Sequence, residues 1–298
     1  MAKKSSKISK VTPFTVFCWI GFSVFLFFLA FYAYYMLSTS FKDPFGGINY
    51  YADNILGLPK IFQFDQYVNA WNRFRVQLVD SSWVYIEEML IYSFAYAILV
   101  SLAMTSSCLI VGYATGRFNV FFNKIIYGFV IVAMTLPLVG STPSQVALMS
   151  KMGIYDSWIG IIFSKFYFIS VYYIIFHETF RGIPKTYSEA AKIDGANNFY
   201  IMIKIMFPLV KVTFTTIFVL LFISNWNDYS TPVIFLKSYP NIALGLYYFR
   251  LRPDNLLGTG LDPAQMAACV MTMIPVVIFF VAFRKQLVGN VSMGGLKE

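Results

Sequence analysis

The sequence of 298 residues has few charged residues, and this shortage determines its class. Asp, Glu, Lys and Arg make up 12% of the chain and hydrophobic residues 58%, whereas about one quarter of an average soluble domain is charged. A chain of this composition has too little polar surface to face water on all sides. We therefore expect an all-α membrane protein with most of its surface in lipid.

Motifs for catalysis and nucleotide hydrolysis are also missing. The sequence contains no GxxxxGK[ST] phosphate-binding loop, no HExxH and no GxSxG. The adjacent carboxylates Glu87 and Glu88 flank an apolar run, which is typical of a solvated membrane edge. We predict no catalytic residue, no metal site and no cofactor in this chain, so any ATP-driven process would need a separate polypeptide.

Cysteine and histidine are scarce. Cys18, Cys108 and Cys269 each lie in an apolar run without CxxC spacing, which favours buried structural thiols over a disulfide or a metal site. The single histidine, His177, is next to Glu178, and we interpret it as a hydrogen-bonded imidazole at a membrane interface. A proton relay would need further ionisable groups in line with it.

The chain contains six apolar segments, each a candidate span of about 20 residues. In order, they are residues 11–37, 89–114, 125–148, 158–176, 212–228 and 263–283. Pro137 is expected to kink or end the third. The fifth is short, so it must extend through Asp228 and Tyr229 or stop below one membrane face.

The distribution of positive charge predicts the orientation. Lysines open the chain, and further Lys and Arg residues flank alternate spans on one side, which the positive-inside rule places in the cytoplasm. Both termini are then cytoplasmic, and the protein is multi-pass in a bacterial cell membrane. The net charge of +9 is explained by this topology. No basic helix with interleaved aromatics indicates nucleic-acid binding.

A polar segment between the fourth and fifth spans predicts a short helix. Pro184 suits its first turn, and Glu189 lies four residues after Lys185 and three before Lys192. Gly195 can adopt the left-handed conformation that ends a helix. A second helix is expected from Asn197 through Ile205 to Pro208.

The surface of this segment is expected to receive another protein. Ala190 and Ala191 are small, so a partner can approach closely. Glu189, Ala190 and Ala191 are followed by three residues and Gly195, then by nine residues and Ile205, with Pro208 three positions further on. This spaced pattern resembles the cytoplasmic signature of ABC importer permeases. Phe207 stands where that pattern has leucine.

The resemblance continues along residues 55–298 and is closest to the MalG-like subunit of maltose-type carbohydrate importers. The matching stretches include residues 112–118, 151–157, 180–184, 191–196, 226–229 and 294–297. It implies a type I ABC importer permease fold with six transmembrane helices and a cytoplasmic coupling helix at 184–196. It divides the chain into residues 1–85 (amino terminus, first anchor and outer segment), 86–288 (permease core) and 289–298 (cytoplasmic tail).

The resemblance also implies the partners. They are a second, MalF-like permease, two ATP-binding subunits that hold ATP and Mg, an extracytoplasmic solute-binding protein, and a sugar substrate. Glu189, Ala190, Ala191, Asp194, Gly195, Ile205 and Pro208 are then the residues that couple to the ATPase. Alternatively, Glu189 only pairs with Lys185 or Lys192 on its own helix.

The residues of the substrate pathway are less clearly marked. Lys165 is ionisable inside the fourth span, a typical functional position, but it could instead snorkel or pair with Asp156. Asn225, Trp226, Asn227, Asp228 and Tyr229 offer hydrogen bonds and aromatic faces that suit a neutral sugar. Anchoring of the two aromatic residues at the membrane interface is the competing interpretation.

Two other functions remain open. One is an ABC importer permease for a non-sugar solute. The other is a gradient-driven secondary transporter, which should show sequence repeats, broken helices at matched positions or intramembrane carboxylates; the sequence gives no clear sign of these.

Overall fold

A computed structural model describes residues 12–44, 46, 48–118, 121–136, 140–251 and 263–291, with side chains described up to residue 284. In chain order the helices are α1 (Pro13–Thr39), α2 (Asp65–Arg73), α3 (Ile86–Arg117), α4 (Phe122–Thr135), α5 (Ser141–Lys151), α6 (Trp158–Lys165), α7 (Val171–Gly182), α8 (Thr186–Ile193), α9 (Asn198–Tyr200), α10 (Phe207–Trp226), α11 (Ser230–Phe235), α12 (Ile242–Leu251) and α13 (Pro263–Val291). A 3₁₀ turn covers Tyr51–Asp53, and a π-helical turn, Ile201–Met206, joins α9 to α10. Strands β1 (Arg75–Gln77) and β2 (Trp83–Tyr85) form an antiparallel hairpin with Val76 opposite Val84.

Contacts within the chain divide it into two compact units, residues 1–73 with 253–271 and residues 74–252 with 272–298. In the first unit, none of the apolar stretch of helix α1 is buried inside the chain, as expected for a helix surrounded by lipid. The segment after α1 is fastened by Lys42, a buried residue whose Nζ donates to the carbonyl oxygens of Asn54 and Ile55 at 2.6 and 2.9 Å.

The second unit is built around α3, which packs closely against α7. Gly112 and Gly116 lie one turn apart on α3, and a Cβ at either would come within 2.7 Å of an atom of α7, the Cβ of Phe176 or the carbonyl oxygen of His177. Pairs of small residues at this spacing let helices approach closely in membranes. The core beside them includes Tyr113, Phe176, Phe180, Ile201, Met206, Val210 and Ile217.

In the part of the chain that the structure describes, four helices are long and apolar enough to cross a membrane: Pro13–Thr39, Ile86–Arg117, Asn198–Trp226 and Pro263–Arg284. Three of them confirm the first, second and sixth predicted spans. The remaining long helix, Asn198–Trp226, covers the fifth predicted span as far as Trp226. Of the two alternatives for this span, the extension through Asp228 and Tyr229 is not formed. The helix instead continues back to Asn198 and so joins the span to the second helix that was predicted from Asn197 to Pro208.

The third and fourth predicted spans are each divided. The third predicted span, which Pro137 was expected to kink or end, contains α4 up to Thr135 and α5 from Ser141, with Gly140 at φ +89° immediately before α5. Residues 158–176 fold as α6 and α7, interrupted at 166–170. Hydrophobicity alone could not detect these breaks because apolar residues continue through them. Pro137, the amino-terminal lysines and residues 294–297 lie outside the described residues.

The scarce polar groups are placed as follows. His177 is buried, and its Nδ1 lies 2.9 Å from Thr115 Oγ1, which also accepts a hydrogen bond from Tyr173 at 3.0 Å. The hydrogen-bonded imidazole is therefore confirmed. All three cysteines are free thiols; Cys108 is buried, but Cys18 is exposed on α1, so burial was wrongly expected there.

Candidate functional site

The polar segment between α7 and α10 folds as the expected short helix. Its first turn is closed by bonds from the backbone N–H groups of Ser188 and Glu189 to the carbonyl oxygen of Lys185, at 2.9 and 3.1 Å. α8 begins at Thr186, so Pro184 lies two residues before the helix and not in its first turn as predicted. Proline still suits this position, because it lies between α7 and α8 and no carbonyl oxygen of either helix depends on a backbone N–H there.

Gly195 ends α8 in the left-handed conformation, as predicted. Its φ is +84°. The N–H of Gly195 donates to Lys192 O at 3.0 Å and the N–H of Ala196 donates to Ala191 O at 2.9 Å. These two hydrogen bonds satisfy carbonyl oxygens that would otherwise have no hydrogen-bond donor at the end of a helix. Glycine is needed at this position because a residue with a side chain is strained at this φ.

The second helix of the segment begins at Asn197. Its side chain caps the helix by accepting a hydrogen bond from the N–H of Tyr200 at 2.7 Å. From there the chain continues through the π-helical turn and α10 without interruption. Ile205 is half-buried and Pro208 is exposed in the first turn of α10. A widened turn before Pro208 relieves the clash that a proline ring makes with the preceding turn.

The outer surface of this helix–turn–helix is exposed and mixed in character. Glu189, Ala190, Lys192, Asp194 and Gly195 are exposed. Apolar groups accompany them, namely Tyr187, Ile193 (87% exposed), Phe199 and Tyr200. We call these nine residues the docking surface. An exposed apolar patch with charges around it is typical of a protein interface.

Two expectations about this surface change. Ala191 is buried at 7% exposure, so it packs inward and does not lower the outer surface as predicted. Among the described residues Glu189 forms no ion pair, whereas Glu178 lies 3.7 Å from the guanidinium of Arg181 and 3.8 Å from the imidazole of His177. The pairing of Glu189 with Lys185 or Lys192 is therefore not formed.

A groove of about 570 Å³ lies beside the docking surface. It is lined by Ala191, Asp194, Gly195, Ala196, Asn197, Tyr200, Lys204 and Ile205. Residues from both helices and from the turn between them form its walls. Of the predicted coupling residues, Ala191, Asp194, Gly195 and Ile205 come together here.

The sequence did not reveal the role of Arg117, which counted only among the positive charges that predict orientation and within the matching stretch 112–118. Arg117 ends α3, and its Nη1 donates to the carbonyl oxygens of Ile183 at 2.6 Å and Phe180 at 3.3 Å. Its Nη2 donates to Ser188 Oγ at 2.6 Å and to Pro184 O at 3.4 Å. One guanidinium thus fastens α3 to the end of α7 and the start of α8, in a fork geometry that lysine cannot reproduce.

The polar residues at the far end of α10 divide into buried and exposed groups. Asn225 and Trp226 are buried, donating from Nδ2 to Ser101 Oγ at 3.0 Å and from Nε1 to Thr272 O at 3.4 Å. Asn227 is exposed. Tyr229 is also exposed and stacks on Tyr247 with ring centroids 4.8 Å apart.

Asp228 is the best-bonded member of this group. Its carboxylate accepts hydrogen bonds from Tyr96 Oη at 2.9 Å, from the N–H and hydroxyl of Ser230 at 3.0 and 2.8 Å, and from the N–H of Thr231 at 3.1 Å. Four donors satisfy an ionised carboxylate without a direct salt bridge.

Lys165 lies close to Asp228 and away from Asp156. Its Nζ donates to Thr231 Oγ1 at 3.3 Å. Asp156 instead accepts hydrogen bonds from the N–H and hydroxyl of Ser238, at 3.0 and 2.7 Å. The alternative pairing of Lys165 with Asp156 is therefore not formed. In sequence, Lys165 and Thr231 are far apart, so this juxtaposition could not be predicted from spacing.

Long apolar helices, intramembrane polar residues and an exposed polar helix–turn–helix between spans define a multi-pass membrane permease subunit. Residues 108–292 match the model of the family described as binding-protein-dependent transport system inner membrane component, and the chain belongs to that family. This match includes the spaced pattern from Glu189 to Pro208.

Curated relatives are similar along most of their length. The arabinooligosaccharides transport system permease protein AraQ of Bacillus subtilis (strain 168) is 25% identical over 80% of this chain and 80% of its own. The glucose import system permease protein GlcU of Saccharolobus solfataricus is 26% identical over 87% and 88%. The sn-glycerol-3-phosphate transport system permease protein UgpE of Escherichia coli O1:K1 / APEC is 24% identical over 67% and 70%.

A solved structure shares the fold. A chain from the crystal structure of a bacterial ABC transporter involved in the import of the acidic polysaccharide alginate superposes with a TM-score of 0.68, covering 96% of this chain and 98% of that one, at 20% identity. The predicted all-α ABC importer permease fold is confirmed.

Proposed function

We propose that this protein forms half of the translocation pathway of a carbohydrate ABC importer and is driven by ATP hydrolysis on separate subunits. The docking surface carries the argument. It is exposed, is closed by the left-handed Gly195, and contains Glu189 without an ion pair in the described part of the chain. The names of AraQ and GlcU support a sugar substrate, whereas that of UgpE supports the non-sugar alternative.

The assembly proposed is that of the family. A second, MalF-like permease supplies the other half of the pathway, two ATP-binding subunits hold ATP and Mg, and an extracytoplasmic solute-binding protein delivers the sugar. The chain then has both termini in the cytoplasm. Residues 1–85, 86–288 and 289–298 serve as anchor with outer segment, permease core and tail. No catalytic residue is assigned to this chain.

The mechanism that we propose is rigid-body coupling. α8 sits in a cleft of one ATP-binding subunit and moves when that subunit closes on ATP. Because α8 is joined covalently to α7 and α9 and by hydrogen bonds to Arg117, its displacement moves α7, α10 and α3 together. Glu189 is proposed to pair with an arginine of the ATP-binding subunit, a charge-assisted contact that strengthens when desolvated.

Reconstitution tests this function. The protein is purified with its partners, placed in liposomes with the binding protein, and assayed for uptake of radiolabelled sugars with and without ATP. We expect uptake only with ATP and with all subunits present. The same panel, extended to glycerol phosphates and polyols, decides between sugar and non-sugar solutes.

A gradient-driven transporter is the remaining alternative, but the broken helix pairs α4–α5 and α6–α7 do not favour it. The chain belongs to the binding-protein-dependent family and shares its overall fold with a chain of an ABC transporter. The two functions differ in a simple assay. Uptake by this chain alone, driven by an imposed sodium or proton gradient, would support the gradient-driven transporter and contradict the importer.

A further inference from the structure

The interruption between α6 and α7 lies near the middle of the membrane. The Ser107 hydroxyl on α3 donates to Tyr167 O in the interruption at 2.6 Å. Ser107 is ten residues from Arg117, the last residue of α3, which is ~15 Å at ~1.5 Å per residue. The hydrocarbon core is about 30 Å thick. With the Arg117 end of α3 placed at the cytoplasmic edge of that core by the positive-inside rule, residues 166–170 have non-helical backbone at about mid-depth.

Non-helical backbone at this depth is tolerated only where protein covers it or where it lines a water-filled cavity. α3 covers one side, through Ser107 and through Cys108 Sγ, 3.3 Å from Ser170 Oγ. On the other side the side chains of Phe166 and Tyr167 are 52% and 41% exposed. That side therefore faces water or another protein and does not face lipid.

A balanced pair of charges lies next to the interruption. Lys165 ends α6, and its Nζ makes one 3.3 Å hydrogen bond, to Thr231 Oγ1. Since an ammonium has three donors, two remain for a ligand. Asp228 also contacts Thr231, accepting its N–H at 3.1 Å. Thr231 thus lies between a positive and a negative group. Because the two charges are opposite and close together, their electric fields largely cancel further away from the pair.

We propose that Lys165, Tyr167 and Asp228 line a water-filled station of the pathway that passes a neutral, polyhydroxylated ligand in preference to an anion. This inference rests on the proposed function. The free donors of Lys165 suit hydroxyl groups, and Tyr167 offers an aromatic face to the carbon side of a sugar ring. Because Asp228 cancels the field of Lys165, a carboxylated or phosphorylated ligand gains little from the site and still has to be dehydrated.

Cysteine labelling tests whether water and water-soluble reagents reach the station. Tyr167→Cys is introduced after Cys18, Cys108 and Cys269 are changed to serine, and the complete transporter in proteoliposomes is treated with charged, membrane-impermeant methanethiosulfonates. The control is Ile110→Cys, an exposed apolar position on α3 close in depth to Ser107. We expect labelling at position 167, with or without ATP, and none at 110.

The outcome separates this inference from the proposed function. If position 167 resists labelling in every nucleotide state while the loaded binding protein still stimulates ATP hydrolysis, the station does not exist and the importer function stands. If stimulation is also lost in the cysteine-free parent, the test is repeated with each native cysteine restored in turn.

The charge balance is tested by comparing two reagents. The labelling rate of Tyr167→Cys is measured with the cationic trimethylammonium-ethyl reagent and with the anionic sulfonatoethyl reagent. Each rate is divided by the rate of the same reagent with a free thiol in solution. We expect the ratio of the two normalised rates to be near one. Lys165→Met should shift it about three- to tenfold towards the cationic reagent, and Asp228→Asn by a similar factor towards the anionic one.

Two results would overturn the proposed ligand class. One is a strong preference for the anionic reagent in the Tyr167→Cys protein itself, which would indicate an anion site. The other is an unchanged ratio in Lys165→Met, which would place Lys165 away from the station. Lys165→Met alone decides the question if Asp228→Asn, which loses part of its hydrogen-bond network, fails to assemble.

Discussion

The guanidinium of Arg117 donates a 2.6 Å hydrogen bond to the hydroxyl oxygen of Ser188. This bond joins the last residue of the central helix α3 to the first turn of α8. With the 2.6 Å bond to Ile183 O, it gives α8 a third attachment besides its two peptide connections. A force on the docking surface therefore reaches α3 directly, without passing through α7 or α10.

Arg117→Lys should uncouple transport from ATP hydrolysis. Lysine keeps the charge but cannot bond Ile183 and Ser188 from two rigidly spaced nitrogens. We expect assembly with the ATP-binding subunits to persist and ATP-driven uptake to fall about tenfold, corresponding to roughly 1.4 kcal/mol. The matched control is Arg181→Lys, since Arg181 is exposed and its guanidinium pairs with Glu178 on its own helix. Equal uptake by the two variants would show that the hydrogen bonds of Arg117 to Ile183 and Ser188 are not needed for coupling.

Gly195→Asp should assemble in the membrane and abolish uptake. The site has open space around it, so the cost comes from the left-handed φ of +84° and from a new charge on the docking surface. Gly182→Asp is the control, because Gly182 also has open space and no positive φ. Membrane levels and uptake are measured for both variants. Full activity of Gly195→Asp would disprove the need for this turn.

Glu189→Arg should abolish stimulated ATP hydrolysis without lowering the thermal stability of the isolated chain. Glu189 is exposed and has no ion pair in the described residues, so its loss removes nothing internal. An arginine→glutamate change in the cleft of the ATP-binding subunit should restore part of the activity. Glu88→Arg, at an exposed carboxylate in the first turn of α3, serves as the control outside the docking surface. If no charge reversal in that cleft rescues Glu189→Arg, the proposed ion pair is wrong.

Gly116→Val should destabilise the packing of α3 on α7. A Cβ at this position would lie 2.7 Å from His177 O and 3.2 Å from Phe180 Cβ, so backbone would have to move. Overpacking of this kind costs about 1–3 kcal/mol or more. Thermal unfolding in detergent provides the measurement. Gly128→Val, where nothing lies within 4 Å, should unfold near the parental temperature, and equal melting of the two variants would argue against close packing.

The sequence predicted those features whose cause is local. Gly195 and Asn197 were correctly assigned to the helix end and the following helix start, because a left-handed glycine and a capping amide act within a few residues. Spans with unbroken hydrophobicity were also correct within about three residues at most ends. Ala191 was placed on the wrong face, since a short helix does not reveal which side packs inward.

Features that depend on distant residues could not be predicted. Lys165 meets Thr231 and Arg117 meets Ser188 across long separations in the chain, and no spacing rule connects them. The interruption after Lys165 is invisible to hydropathy because Phe166 and Phe168 are as apolar as the helices around them. It is stabilised by Ser107, a residue of another helix.

The π-helical turn Ile201–Met206 has a genetic consequence. Such a turn contains one residue more than the α-helical ladder needs, and each α-helical residue corresponds to a rotation of about 100°. Losing a single codon here would let the ladder close as ordinary α-helix and leave Asn225 and Trp226 facing nearly the same directions, because the widened turn already absorbs the extra residue. The same one-codon deletion inside α10 would instead rotate everything beyond it by that angle, so the turn is the place in this helix where the smallest in-frame deletion changes the far end least.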